Sequence, residues 1–126
     1  MKIIKLLINT NSQKYQILIG FNLISNLSKL INRNSLKFKK CLFIIDKNVP
    51  KTQINKIKKN FKNKEIYFHF FNATEKNKNQ KSSDKILKIL LNKNFSRQDF
   101  LITVGGGITG DVGGYAASLF KRGIQF

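Results

Sequence analysis

The sequence predicts an α/β fold, in which a parallel β-sheet with helices on both faces follows an N-terminal β-hairpin. After residue 40, short apolar runs alternate with stretches whose apolar residues recur every three or four positions, as strands alternating with helices do. Cys41–Ile45 is apolar at every position, which is typical of a strand covered on both faces. Phe100–Val104 is a similar run, and it leads directly into three glycines and a helical stretch.

The first third of the chain predicts the hairpin and a helix. Lys2–Asn9 and Tyr15–Gly20 are β-type runs separated by a polar turn, and we expect them to pair as antiparallel strands. From Asn22, which we expect to cap a helix, apolar residues follow at helical spacing until Asn32–Ser35 interrupts the pattern.

The rest of the chain predicts alternating helices and strands. Pro50 suits the first turn of a helix whose Ile54, Ile57 and Phe61 recur on one face. The series continues with the strand Glu65–Phe71, the helix Asp84–Leu91, the strand Phe100–Val104 and the helix Val112–Phe120. Because parallel strands are joined by right-handed crossovers, this alternation favours a single right-handed α/β unit.

The most informative motif is the glycine block between the last predicted strand and helix. Gly105, Gly107 and Gly110 spell G-x-G-x-x-G, with Gly106 between the first two. Missing β-carbons let phosphates approach the backbone, and the N-terminus of a helix offers free N–H groups. The block therefore predicts a phosphate-bearing cofactor site in a Rossmann-like domain, with a purely structural glycine turn as the alternative.

Composition narrows the class of protein. At 126 residues and 41% hydrophobic content, one domain with a real core is feasible. The formal net charge is +18, but the basic residues are nearly all lysines in asparagine- and isoleucine-rich tracts, as A/T-rich codons would give. We therefore expect no specific nucleic-acid partner. No apolar run is long enough to predict a membrane span.

Two single residues bear on compartment and metal binding. Cys41 is the lone cysteine, which excludes an internal disulfide, fits a reducing cytoplasm and predicts a buried thiol. His69 is the lone histidine and lies in a predicted strand, so we expect a sheet residue and not a metal ligand. The sequence offers no plausible metal triad.

Polar residues follow each of the three predicted parallel strands. Asp46 and Asn48 follow the first strand, Glu75 and Lys78 the second, and the glycine block the third. Because ligands of α/β sheets bind outside the carboxyl ends of the strands, these segments predict one shared site.

These segments also resemble a known family. The block Gly105–Asp111 reads GGGITGD, and Arg122 followed by Gly123 comes eleven residues after Asp111. Together with Asp46-x-Asn-Val and Glu75-x-x-Lys, this pattern resembles the amino-terminal part of 3-dehydroquinate synthase. The resemblance implies NAD as cofactor, contacted through Asp46, Asn48, Glu75, Lys78, Gly105, Gly106, Gly107, Gly110 and Asp111, with Arg122 as a substrate anchor.

The residues alone leave simpler roles open. Asp46 could form an Asx turn or cap the helix at Pro50. Asp111 could complement the dipole at the start of its helix, and Lys78 could be an ordinary surface lysine. Arg122 could counter the C-terminus of the preceding helix.

The resemblance implies a phosphorus–oxygen lyase of the shikimate pathway, which makes chorismate and aromatic amino acids. NAD assists a metal-dependent conversion of the sugar acid phosphate DAHP to 3-dehydroquinate, with elimination of phosphate. The family's zinc or cobalt ligands and its helical second domain have no counterpart here. We therefore expect residues 1–126 to be an NAD-binding domain truncated at its C-terminal edge and inactive alone.

Other assignments and partners remain open at this point. The alternatives are a metal-dependent alcohol or glycerol dehydrogenase-like domain, another sugar phosphate cyclase, or a noncatalytic NAD-binding remnant. Beyond the small-molecule substrate, the expected partner is a second copy in a homodimer or a missing C-terminal half.

Overall fold

The computed structural model describes residues 2–32 and 38–126. An antiparallel hairpin opens the chain, with β1 at Ile4–Asn9 and β2 at Lys14–Ile19, as predicted. A 3-10 turn, Leu23–Asn26, and the short helix α1, Leu27–Asn32, follow. Residues 33–35 of the predicted helix break lie outside the described residues.

The expectation that Asn22 caps the first helix is wrong. Asn22 has a left-handed backbone (φ 57°), and its side chain makes no capping hydrogen bond. Its Oδ1 instead accepts a hydrogen bond from Lys56 Nζ at 3.0 Å. The Asn22 side chain therefore links the 3-10 turn to the helix that contains Lys56 and does not cap the helix that follows Asn22.

The rest of the described chain forms a three-stranded parallel sheet with helices on both faces, as predicted. Its strands are β3 (Lys40–Asp46), β4 (Glu65–Phe71) and β5 (Phe100–Val104), in the order β4-β3-β5. The helices are α2 (Lys51–Asn60), α3 (Gln80–Asn92) and α4 (Gly107–Leu119). Side chains alternate across β3: Cys41, Phe43 and Ile45 pack toward α2, whereas Leu42 and Ile44 pack toward α3 and α4.

Three helix boundaries differ from the sequence prediction. Helix α2 begins at Lys51, one residue after Pro50. Helix α3 begins at Gln80, four residues before the predicted start, because Asn79 Oδ1 accepts a hydrogen bond from the Ser82 N–H at 2.9 Å. Helix α4 begins at Gly107, inside the glycine block, and ends at Leu119.

The strand order creates a switch point between β3 and β5. The chain crosses from β3 to β4 on one side of β3 and then returns to place β5 on the other side. The loop after β3 leads to α2, and the loop after β5 leads to α4 on the opposite face. Such a crevice, at the carboxyl ends of neighbouring strands, is where α/β sheets bind ligands.

Within the described residues, no helix is both long enough and apolar enough to cross a membrane.

Candidate functional site

At the switch point, Gly105 packs directly against Asp46. Gly105 has a φ of 154°, and a β-carbon there would lie 3.0 Å from Asp46 Cβ and 2.8 Å from Thr109 Oγ1. A side chain at Gly105 would therefore collide with both neighbours. The fold thus brings together two segments that lie almost sixty residues apart in the sequence.

Asp46 also forms the Asx turn that its sequence context left open. Its Oδ1 accepts a hydrogen bond from the Asn48 N–H at 3.0 Å, and the Val49 N–H donates to its carbonyl at 2.9 Å. The turn fixes one carboxylate oxygen. Within the described residues the other oxygen, Oδ2, has no hydrogen-bond partner, so it can accept bonds from a ligand hydroxyl.

The N-terminus of α4 opens toward the same crevice. Gly106 precedes the helix without a side-chain cap, and the first intrahelical bond runs from the Gly110 N–H to the Gly106 carbonyl at 3.1 Å. The N–H groups of Gly107, Ile108 and Thr109 therefore have no intrahelical acceptor. A β-carbon at Gly106 or Gly107 would meet nothing within 4 Å, so the backbone there is exposed to an approaching ligand.

Thr109 is a site residue that sequence reasoning missed. Its side chain is fully buried, and Oγ1 has no hydrogen-bond partner in the described parts of the chain. A buried hydroxyl without a partner costs free energy, which points to a group supplied from outside. The sequence signal was a hydroxyl residue inside the glycine block.

Two predicted NAD contacts, Lys78 and Asp111, form an ion pair in this structure. Lys78 Nζ lies 2.8 Å from Asp111 Oδ2, and both side chains are largely exposed. The hydrogen bond to Asp111 raises the pKa of Lys78. Asp111 is the fifth residue of α4, so its predicted place at the start of the helix is wrong.

Glu75 lies near Lys78, and its negative charge adds to the rise in the pKa of that lysine. It begins the 3-10 turn Glu75–Asn77 after β4, and its side chain is exposed. Beside this turn, Tyr115 Oη donates to Gln80 Oε1 at 3.0 Å. A pocket of about 260 Å³ lies between this turn and helices α3 and α4. It is lined by Lys78, Asn79, Ser83, Asp111, Val112 and Tyr115.

Arg122 does not join the other predicted residues. Helix α4 has thirteen residues, so it carries the chain about 20 Å away from the glycine block. Arg122 follows the helix with a positive φ of 65° and lines an open groove with Arg97 at the amino end of β5. Helix α4 ends at Leu119, and Arg122 ends the 3-10 turn Phe120–Arg122 that follows it, so the alternative of a basic residue that counters a helix C-terminus stays open. A substrate-anchoring role for Arg122 stays a prediction.

The lone histidine of the chain is a residue of the sheet, as predicted. His69 lies within β4, and burial together with Lys85 lowers its pKa. Residues 2–32 and 38–126 contain no group of three histidine, cysteine, aspartate or glutamate side chains close enough to hold a metal ion.

Comparison with solved structures defines the class of fold. Two structures of 2-deoxy-scyllo-inosose synthase superpose on 96% of this chain with TM-scores of 0.82 and 0.83, at 23% sequence identity. One of them is complexed with carbaglucose-6-phosphate, NAD+ and Co2+. The aligned region is about a third of each synthase chain, so this domain has the fold of the corresponding part of a sugar phosphate cyclase.

Comparison with sequences specifies the resemblance further. Residues 68–126 match the family described as 3-dehydroquinate synthase N-terminal. The 3-dehydroquinate synthase of Pelagibacter ubique is 52% identical over all of this chain and 34% of its own length. That of Buchnera aphidicola is 36% identical over 94% of this chain and 32% of its own length. The resemblance to the amino-terminal part of 3-dehydroquinate synthase is therefore confirmed, and the chain spans about a third of these relatives.

Proposed function

We propose that this chain is the NAD-binding domain of a 3-dehydroquinate synthase. The observation that carries the proposal is the contact of Gly105 with Asp46 and Thr109 at the switch point, beside the open backbone of Gly106 and Gly107. This arrangement supports a pyrophosphate over the glycine block and a ribose beside Asp46. The 52% identity to a 3-dehydroquinate synthase favours this family over other cyclases and over dehydrogenases.

The polar groups of the crevice suit a dinucleotide. The free N–H groups and positive end of α4 favour the negative charge of a pyrophosphate. Asp46 Oδ2 can accept hydrogen bonds from ribose hydroxyls, and Asn48 lies next to it on the exposed turn. The buried Thr109 hydroxyl lies against Gly105, where a cofactor group or an ordered water would satisfy it.

The Lys78–Asp111 pair has a direct consequence for NAD binding. Each partner can still form hydrogen bonds with a ligand. The Lys78 ammonium has further N–H groups to donate, and Asp111 Oδ1 has no partner among the described residues. We propose that Lys78 and Glu75 contact the adenosine half and that Asp111 contacts the nicotinamide ribose. The ion pair then orients both side chains before the cofactor arrives.

The domain would position the cofactor for the rest of the protein. Bound NAD supplies a transient oxidation of one substrate hydroxyl, which makes a neighbouring C–H acidic and allows phosphate to leave. Among the described residues, no three histidine, cysteine, aspartate or glutamate side chains lie close enough together to hold a metal ion. We therefore place no step of metal chemistry on this chain. About two thirds of the relatives' length lies outside this chain, and we expect residues 1–126 alone to form no 3-dehydroquinate. The buried lone thiol of Cys41 fits our proposal of a cytoplasmic location.

Calorimetric titration of NAD into the purified chain tests this proposal. We expect saturable binding by the unmodified chain, and about tenfold weaker binding by Gly106→Ala, because the added methyl group occupies space needed by the phosphates. Gly20→Ala is the matched control, since its β-carbon would make only ordinary contacts with Ile3 in the hairpin. Absence of both heat and a thermal shift with NAD would contradict the proposal.

A further inference from the structure

A pocket lies between helix α2, the turn after β3 and the end of the edge strand β4. Its volume is about 460 Å³, which is in the range of small-molecule sites. The Lys47 N–H donates a hydrogen bond to the Phe71 carbonyl at 2.9 Å and so holds the turn beside β4. Because α2 and α4 pack on opposite faces of the sheet, this pocket and the glycine block lie on opposite faces as well.

The floor of the pocket is apolar. Val49, Ile54 and Phe70 line it, and Phe70 is 56% exposed although it is a strand residue. Phe70 stacks on Phe68, with ring centroids 6.3 Å apart and ring planes 14° apart. The Phe70 ring is therefore supported by a neighbour and still presents apolar surface to a flat ligand.

The rim of the same pocket is positively charged. Lys47, Lys51 and Lys58 line it, and all three side chains are exposed. Lys58 Nζ also lies 5.4 Å from the centroid of the Phe68 ring, so its charge is next to the aromatic pair.

No acidic side chain compensates these charges in the described part of the chain. The residues that line the pocket include no aspartate or glutamate, and none of the three lysines forms an ion pair there. The first turn of α2 contains no acidic residue either. A concave site with one sign of charge concentrates ligands of the opposite sign, so the pocket favours an anion.

We propose that this pocket binds a small aromatic molecule that carries a doubly charged anionic group, as an aryl phosphate does. The aromatic ring lies against Phe70 over the apolar floor, and the anionic group contacts the ammonium groups of the rim. Lysine suits this role because its ammonium binds phosphate as a point charge with three rotatable donors. The inference does not rest on the proposed function, since it uses no residue of the glycine block or of the Lys78–Asp111 pair.

Titration with phenyl phosphate tests the proposal. Asn55 lines the pocket, so its side-chain amide resonances in a nitrogen–proton correlation spectrum report on occupancy. We expect them to shift and saturate with a Kd of about 1 mM or lower, and we expect inorganic phosphate and benzyl alcohol to bind about tenfold more weakly. No saturable shift at Asn55, or equal binding of inorganic phosphate, would overturn the proposal.

Two neighbouring lysines of α2 provide a matched pair of variants. Lys58→Gln and Lys59→Gln remove the same charge from exposed positions, but Lys59 does not line this pocket. We expect Lys58→Gln to weaken phenyl phosphate binding about fivefold and Lys59→Gln to leave it nearly unchanged. Equal weakening by both variants would show attraction by net charge alone and would contradict a specific site.

A second pair of variants tests the aromatic contact. Phe70→Thr removes the exposed ring and keeps a residue that favours strands, and Ile19→Thr makes a similar change at a 50% exposed strand position of the hairpin. Only Phe70→Thr should weaken binding, by about fivefold, with the rest of its amide spectrum retained. An unchanged affinity of folded Phe70→Thr would refute the assigned contact.

Competition with NAD separates this pocket from the cofactor site, because NAD also combines aromatic rings with phosphates. We expect saturating NAD to leave the affinity for phenyl phosphate unchanged. Displacement of phenyl phosphate by NAD would assign the pocket to the cofactor and overturn the inference. A chain that binds phenyl phosphate at Asn55 but does not bind NAD would contradict the proposed function alone.

Discussion

Helix α4 approaches β5 so closely that one glycine controls their packing. A β-carbon on Gly113 would lie 2.3 Å from Thr103 Cγ2, about 1.2 Å less than an ordinary carbon–carbon contact. Overpacking costs about 1–3 kcal/mol, and an approach of 2.3 Å belongs in the upper part of that range, at about 2–3 kcal/mol, whereas the better helix propensity of alanine returns about 1 kcal/mol. We therefore expect Gly113→Ala to lower the free energy of unfolding by about 1–2 kcal/mol in urea titrations.

The same contact provides its own rescue. Thr103→Ser removes only the Cγ2 methyl group, so the alanine methyl of the double variant can take its place. The double variant should recover at least 1 kcal/mol relative to Gly113→Ala alone. Gly110→Ala on the same helix meets nothing within 4 Å and should instead stabilise by about 0.5–1 kcal/mol. Strictly additive effects of the two substitutions would refute the proposed contact.

Three further predictions follow from single residues. Burial raises the pKa of Asp99, but hydrogen bonds from three backbone N–H groups and a serine hydroxyl outweigh it and hold the pKa below its usual value. The stabilisation from the ionised Asp99 is therefore present above about pH 4 and is lost as the pH falls through the pKa of the folded state. In urea unfolding, Asp99→Asn should lower the free energy of unfolding by about 1–3 kcal/mol at pH 7 but by far less in acid. Burial raises the pKa of Cys41, so thiol reagents should label it only as fast as the chain unfolds. Arg122→Gln should leave NAD affinity unchanged in calorimetry, because Arg122 lies at the far end of α4.

The sheet was predictable because its strands have unambiguous patterns. Glu65–Phe71 and Phe100–Val104 begin and end where the sequence predicts, since one is an apolar-rich β-type run and the other is almost wholly apolar. Helix starts were less predictable. The start of α4 lies in residues with poor intrinsic helix propensity, and close packing of Gly113 on β5 outweighs that preference.

The candidate site was predictable in part because several of its residues directly follow predicted strands. Asp46 and the glycines follow strands, so a parallel sheet brings them to one edge. Helical geometry could have excluded Arg122 from that edge, because the predicted helix Val112–Phe120 lies between it and the glycine block. The burial of Thr109 and the ion pair between Lys78 and Asp111 depend on tertiary packing that spacing alone does not encode.

The glycine block provides the most direct test of NAD binding at the switch point. The chain has eight glycines, and their amide resonances can be followed in a nitrogen–proton correlation spectrum during NAD titration. We expect the resonances of Gly105, Gly106 and Gly107 to shift and saturate with the calorimetric affinity, while those of Gly20 and Gly123 stay unchanged. Saturable binding that moves Gly20 or Gly123 but leaves the three glycines of the loop unaffected would contradict this site.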